Sequence, residues 1–199
     1  TSQPINFNNN HLIGLGINQQ LIYDKDEKFY NSFSIYDYKL NLINSYNKIN
    51  LVPFGEFLPF ESLLKKIGLK TITNNYNSFS KGNKRNPMNI KIDNISFKIL
   101  PLICYEIIFP ELSQSANSET NVIVNISEDA WFGDTIGPHQ HFSKAIFRAI
   151  ENNSFLLRSA NQGISAIINN KGEIIKKLNA NEVGNIEMSI PLLKSNYKN

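Results

Sequence analysis

The chain has 199 residues, 41% of them hydrophobic and 19% charged, with a formal net charge of +3. That is enough sequence for one domain with a buried core, and the Lys and Arg residues are dispersed, which gives no clustered basic face for a nucleic-acid partner. No apolar run approaches the ~18 residues of a membrane span, and no secretory leader is readable.

Taken in chain order, short apolar runs alternate with turn residues. His11–Ile17 and Lys28–Tyr36 are predicted strands, the second with aromatic residues interleaved with small polar ones. Phe60–Ile67 has helical spacing and closes at Gly68, a suitable C-cap. Lys91–Phe97 is a predicted hairpin turning at Asp93-Asn94, because both residues tolerate positive φ. Ile99–Ile103 is a predicted buried strand running directly into Cys104, and Asn121–Ile126 is another β-rich run. Between Pro138 and Asn152 the pattern turns helical, with Phe142, Ala145, Ile146, Ala149 and Ile150 on one face. Short strands at Phe155–Arg158, Ile164–Ile168, Glu173–Lys177 and Gly184–Ile190 complete the pattern, with a turn at Asn170-Lys171-Gly172. Neither a repeat nor an interdomain linker interrupts this order. It describes a single α/β layered domain over residues 1–199.

Cys104 is the only cysteine, so no internal disulfide framework exists. A lone cysteine is ordinarily a small buried hydrophobe, and its context decides otherwise. In Leu100–Glu111 a hydrophobic strand ends at Cys104, and Pro110 with Glu111 suits the first turn of a following helix. Such a turn exposes a nucleophile beside backbone N–H groups. A reactive thiolate also needs a neighbouring cation. The three histidines are poor partners: His11 belongs to an apolar strand, while His139 and His141 bracket Gln140 at a helix start. Lys48 is the alternative, since it precedes an apolar segment and a Pro-Phe-Gly turn with Glu56 beyond it. By default each would be a solvated surface charge.

Three segments carry a resemblance: Lys48-x-x-Leu-Val-Pro-Phe-Gly-Glu56, Ile103-Cys-Tyr-Glu-x-x-Phe-Pro-Glu111, and Asp129-Ala-Trp-Phe-Gly-Asp-x-x-Gly-Pro-x-Gln-His141. In this order they resemble the carbon–nitrogen hydrolase (nitrilase) superfamily and, within it, the bacterial apolipoprotein N-acyltransferase family, over roughly His11 to Ile190. The resemblance implies a nitrilase-like α-β-β-α sandwich, here as a partial domain. As such it is expected to lack its first strand or strands and any membrane-spanning part. It also implies Cys104 as nucleophile, Lys48 as catalytic lysine and Glu56 as a pocket glutamate; Tyr105 and Glu106 match residues that follow the nucleophile, and Trp131 lies in the third motif.

The implied reaction moves an acyl chain from a phospholipid, through a Cys104 thioester, to the N-terminal amine of a lipoprotein. It would run at the bacterial inner membrane, facing the periplasm, with no cofactor or metal. The family's first catalytic glutamate has no match here, so the chain alone is expected to be inactive. Glu128 is a second departure, standing where the acyltransferases usually carry Asn; an extra carboxylate there is expected to repel a thiolate or alter a loop. Trp131 and Phe132 read either as packing anchors or as a mobile loop at an acyl-chain entrance, which Phe54, Phe57, Leu58 and Phe60 would also line. Arg148 and Glu151 read as an i,i+3 pair, and Arg158 and Asn161 match family positions without a derivable role. The competing readings are a soluble amidase acting on a small C–N substrate and a non-catalytic module that keeps the fold.

Overall fold

In a computed structural model the chain is described over residues 8–23, 26–57, 59, 78–83, 87–113 and 120–192. The expected helix at Phe60–Ile67, together with Leu58, lies outside the described residues.

Two sheets form the frame. Strands β1 (Leu12–Tyr23), β2 (Asp26–Asp37) and β3 (Leu42–Asn47) make an antiparallel three-stranded sheet, in register from Leu12↔Asp37 to Tyr23↔Asp26. The second sheet takes six strands in sequence order: β4 (Met88–Ile92), β5 (Ile95–Ile103), β6 (Val122–Glu128), β7 (Phe155–Asn161), β8 (Ser165–Ile168) and β9 (Ile174–Leu178). Its centre, β5-β6-β7, is parallel, and the outer pairs are antiparallel. A parallel centre requires crossovers. A 3-10 turn at Cys104–Ile108 and the short helix α1 (Pro110–Ser113) begin the first, and α2 (Gly137–Glu151) makes the second.

Side-chain alternation divides β5 between two cores. Leu100 and Leu102 face the helix side, where they pack with Ile107, Ile123, Phe142, Ala145, Ala149 and Leu156. Ile99 and Ile103 face the other way and join Phe33, Ile35, Tyr46, Met88 and Ile90 between the sheets, with Cys104 and Ile126 against them. The sheets approach closely at Gly16, where a Cβ would stand 2.8 Å from Cδ1 of Ile126.

Most expected elements are found, extended by a few residues. The hairpin turns at Asp93, whose φ is +50°, and the Asn170–Gly172 turn closes with Gly172 at φ +83°. Two expectations need correction. Gly184–Ile190 is not a strand: Ile186, Met188 and Ile190 are half-buried in alternation, but the segment has no backbone ladder. The buried face of α2 is also rotated, taking in Pro138, His141, Phe142, Ala145, Arg148 and Ala149 while Ile150 is left exposed. Arg148 is drawn inward on that face, with Nη2 donating to Glu151 at 2.9 Å, and Ile150 rests over the Gly172 turn instead. Pro110 and Glu111 do open the helix that follows the Cys104 strand, and a 3-10 turn at Cys104–Ile108 joins the two.

Candidate active site

The three parallel strands deliver their carboxyl ends to one edge of the sheet, the usual position for a site in an α/β layer. Ile103 is in register with Ile126, so Cys104 begins where β5 stops, beside the end of β6. Cys104 is half-buried, and its φ is +49°. A non-glycine residue in the left-handed region is uncommon and persists where its surroundings over-determine it.

Glu106 supplies much of that determination. Its carboxylate is fully buried, and Oε2 accepts from the Ile103 N–H at 2.9 Å. Oε1 accepts from the Tyr46 hydroxyl at 2.8 Å and from the Ile49 and Asn50 N–H groups at 2.9 and 3.1 Å. One carboxylate thus ties the end of β5 to the segment that follows β3. Charge-assisted bonds of this kind are the stronger class. Tyr105 lies edge-on to Phe109, with ring centroids 5.1 Å apart, and supports the outer side of the turn.

Lys48 sits on the segment held by Glu106 and is 1% exposed, so it is no surface lysine. Its Nζ donates to both oxygens of Glu56 at 2.9 and 2.8 Å. Glu56 is oriented in turn by Asn31 Nδ2 at 2.8 Å and the Val52 N–H at 2.7 Å. The Pro-Phe-Gly turn makes this fit: Phe54 takes φ +63°, Pro53 bridges Phe57, and the Glu56 N–H closes on the Val52 carbonyl at 2.8 Å. Phe54 is exposed and Phe57 half-buried.

A second buried polar group was not readable as a unit in the sequence. Asp129, which follows β6, accepts from Arg158 Nη2 at 2.7 Å and from the Ser127 hydroxyl at 2.6 Å, and it lies 2.9 Å from His141 Nδ1, which is itself 3.2 Å from Arg158 Nη2. Burial works to raise the Asp129 carboxyl, but the His141 bond, the Arg158 charge and the Ser127 hydroxyl outweigh it and leave it below the usual value. Burial pushes the Arg158 guanidinium below its ordinary value, opposed by Asp129 and by charge on Cys104. His141 Nε2 lies 3.2 Å from the Cys104 carbonyl oxygen, so this histidine meets the backbone at Cys104. The only hint in the sequence was that Arg158 and the Asp129-to-His141 segment match family positions.

Glu128 is exposed and accepts from the Ala130 N–H at 3.1 Å and from Asn161 Nδ2 at 2.8 Å, across the in-register pair Glu128↔Asn161. It shapes the start of the Trp131 loop. Trp131 itself is 77% exposed, which rules out the packing-anchor reading for this ring, whereas Phe132 packs tilted against His141. The described residues contain no group of acidic, His or Cys side chains arranged to hold a metal.

The family model for carbon–nitrogen hydrolases matches residues 6–194, and the chain belongs to that family. It is similar to apolipoprotein N-acyltransferases: 41% identical over 166 residues to that of Brucella suis and 42% over 163 residues to that of Rhizobium leguminosarum. It is 38% identical over 187 residues to that of Rickettsia typhi. These alignments cover 83%, 82% and 94% of this chain but only 31%, 30% and 36% of the relatives, so the chain spans about a third of their length. Among solved structures, Nit3 of Saccharomyces cerevisiae, a nitrilase-superfamily member, aligns with a TM-score of 0.59 at 21% identity, over 84% of this chain and 56% of that one. A mutant amidase of Nesterenkonia sp. AN1, carrying an acetamide moiety on its active-site cysteine, aligns at 0.54 and 18% identity, over 79% of this chain and 53% of that one. These two likenesses establish the shared α/β sandwich.

Proposed function

We propose that this domain carries out the acyl-transfer chemistry of a bacterial lipoprotein N-acyltransferase. The observation that carries the proposal is the left-handed Cys104 at the end of β5, tied through Glu106 to the segment bearing buried Lys48. The N-acyltransferase names of relatives near 40% identity support a lipoprotein acceptor.

In the first step the Cys104 thiolate attacks the ester carbonyl of a phospholipid. The carbon–oxygen bond breaks, a proton goes to the departing lysophospholipid alcohol, and a thioester remains on Sγ. In the second step the N-terminal amine of a diacylglyceryl-cysteine lipoprotein attacks that thioester. An amide forms, the amine loses a proton, and the thiol is restored. Lys48 stabilises the thiolate and the tetrahedral oxyanion, helped by backbone N–H groups. Glu56 fixes the direction of the Lys48 ammonium through its two short contacts. The exposed ring of Trp131 reaches toward the acyl chain of the donor.

The family's general-base glutamate is not matched within these 199 residues, and the relatives are about three times longer. The full activity therefore belongs to the complete gene product, working at the inner membrane with this domain on the periplasmic side. No helix among the described residues is long and apolar enough to cross a membrane. The test is transfer from phospholipid to a diacylglyceryl-cysteine lipopeptide by the complete gene product. Transfer is expected in the wild type and absent in Cys104→Ala. Hydrolysis of small amides without lipopeptide acylation would overturn the reading in favour of an amidase.

A further inference from the structure

On the helix side of the six-stranded sheet, Asp129, His141 and Arg158 are each at most 4% exposed. Burying three ionisable groups is expensive, and such clusters contribute little net stability compared with apolar packing of the same volume. What distinguishes this cluster is where it ends. A carbonyl oxygen only accepts, so at 3.2 Å the Nε2 of His141 carries a hydrogen and donates it to Cys104 O. The imidazole is aimed by Asp129 at Nδ1, and Asp129 is held by Arg158 and Ser127. Arg158 is fixed on its other side by the Ile164 carbonyl at 3.1 Å and by the Asn125 side-chain oxygen. Asn125 then donates to the Leu102 carbonyl at 2.8 Å. The network therefore grips the nucleophile strand at two carbonyls, Leu102 and Cys104, from the face opposite Glu106. Phe132 closes over the imidazole at a centroid distance of 5.4 Å.

We propose that His141, oriented by Asp129 and Arg158, is a positioning residue for the nucleophile: by holding the Cys104 carbonyl it locks the left-handed turn and so fixes the direction of Sγ. Its contact is to backbone oxygen, which separates it from a catalytic base. The Arg158 charge is favoured by charge on Cys104.

The inference rests on Cys104 being the nucleophile, and its test separates that premise from the proposal. In the complete gene product, His141→Phe keeps a ring of similar size without a donor, and His141→Gln keeps an N–H. Thioester formation is expected to slow on the order of a hundredfold in H141F, with KM for phospholipid little changed, as for a misaimed nucleophile. H141Q is expected to recover roughly tenfold of that loss, about one hydrogen bond's worth of barrier. Wild-type thioester formation by folded H141F would overturn the proposal, as would equal loss in both variants. If H141F does not fold, Asp129→Asn gives the reading: lowered kcat at constant KM supports it, and unchanged kcat overturns it. Alkylation of Cys104 by iodoacetamide is measured alongside. If the wild type forms no thioester from phospholipid, the function proposed above fails, and slower alkylation in H141F still decides the positioning role.

Discussion

At the residue scale the site is organised by carboxylates that hold other groups in place. Glu106 accepts three backbone N–H groups and the Tyr46 hydroxyl from within the protein, so its truncation strands several buried donors at once. Glu106→Ala is expected to destabilise the fold by about 3 kcal/mol or more, the cost of leaving such groups unsatisfied, while Glu106→Gln loses less. Urea denaturation of both variants checks this. Lys48→Ala is expected to lower turnover on the order of a hundredfold, or ~3 kcal/mol of barrier, as for loss of one oxyanion donor. Steady-state assay of the complete gene product reads it directly, and near-wild-type turnover would remove Lys48 from the mechanism. Asp129 adds a pH dependence. Its folded pKa lies below the ordinary 3.8, so the stability it contributes is present above that value and is lost as pH falls through the folded one. Asp129→Asn is therefore expected to be less stable at neutral pH and to lose less on acidification below about pH 4. Melting temperatures of the two proteins across that range test it.

At the element scale, three strand ends and one helix face place every group discussed. Gly163, just past β7, shows how tightly they meet: a Cβ there would lie 2.2 Å from Asp129 Oδ2 and 2.7 Å from its Cβ. Gly163→Ala must therefore push Asp129 off Arg158 and is expected to cost about 1–3 kcal/mol, the range for overpacking a filled core. A lower unfolding midpoint checks this, and an unchanged one would mean the loop yields freely. The elements most legible in the sequence were those with strong local signals. The Asp93-Asn94 turn, the apolar run into Cys104 and the helical spacing after Pro138 were all readable before any coordinates. Gly184–Ile190 misled because alternation reports which side chains are turned inward, whereas a strand also needs a backbone partner. Ile150 misled in a related way: periodicity gave the α2 face, but the Arg148–Glu151 pair and the Gly172 turn set its rotation.

At the scale of the whole molecule, two sheets enclose one core, and a helix encloses the second. β5 belongs to both, which is why Cys104 at its end is gripped from two sides. Of the candidate site, Cys104, Lys48, Glu56 and Glu106 stood out in the ordered motifs, and the third motif held Asp129 and His141 without showing that they meet. Asp129, His141 and Arg158 come from three separate elements, and only the fold brings them to the Cys104 carbonyl. The measurement that bears most directly on the central claim is intact-mass analysis of the complete gene product after exposure to phospholipid without an acceptor. One acyl chain attached at Cys104, released by hydroxylamine or by a diacylglyceryl-cysteine peptide and missing from Cys104→Ala, is the predicted result. An unmodified Cys104 in a folded protein whose thiol still reacts with iodoacetamide would contradict the account.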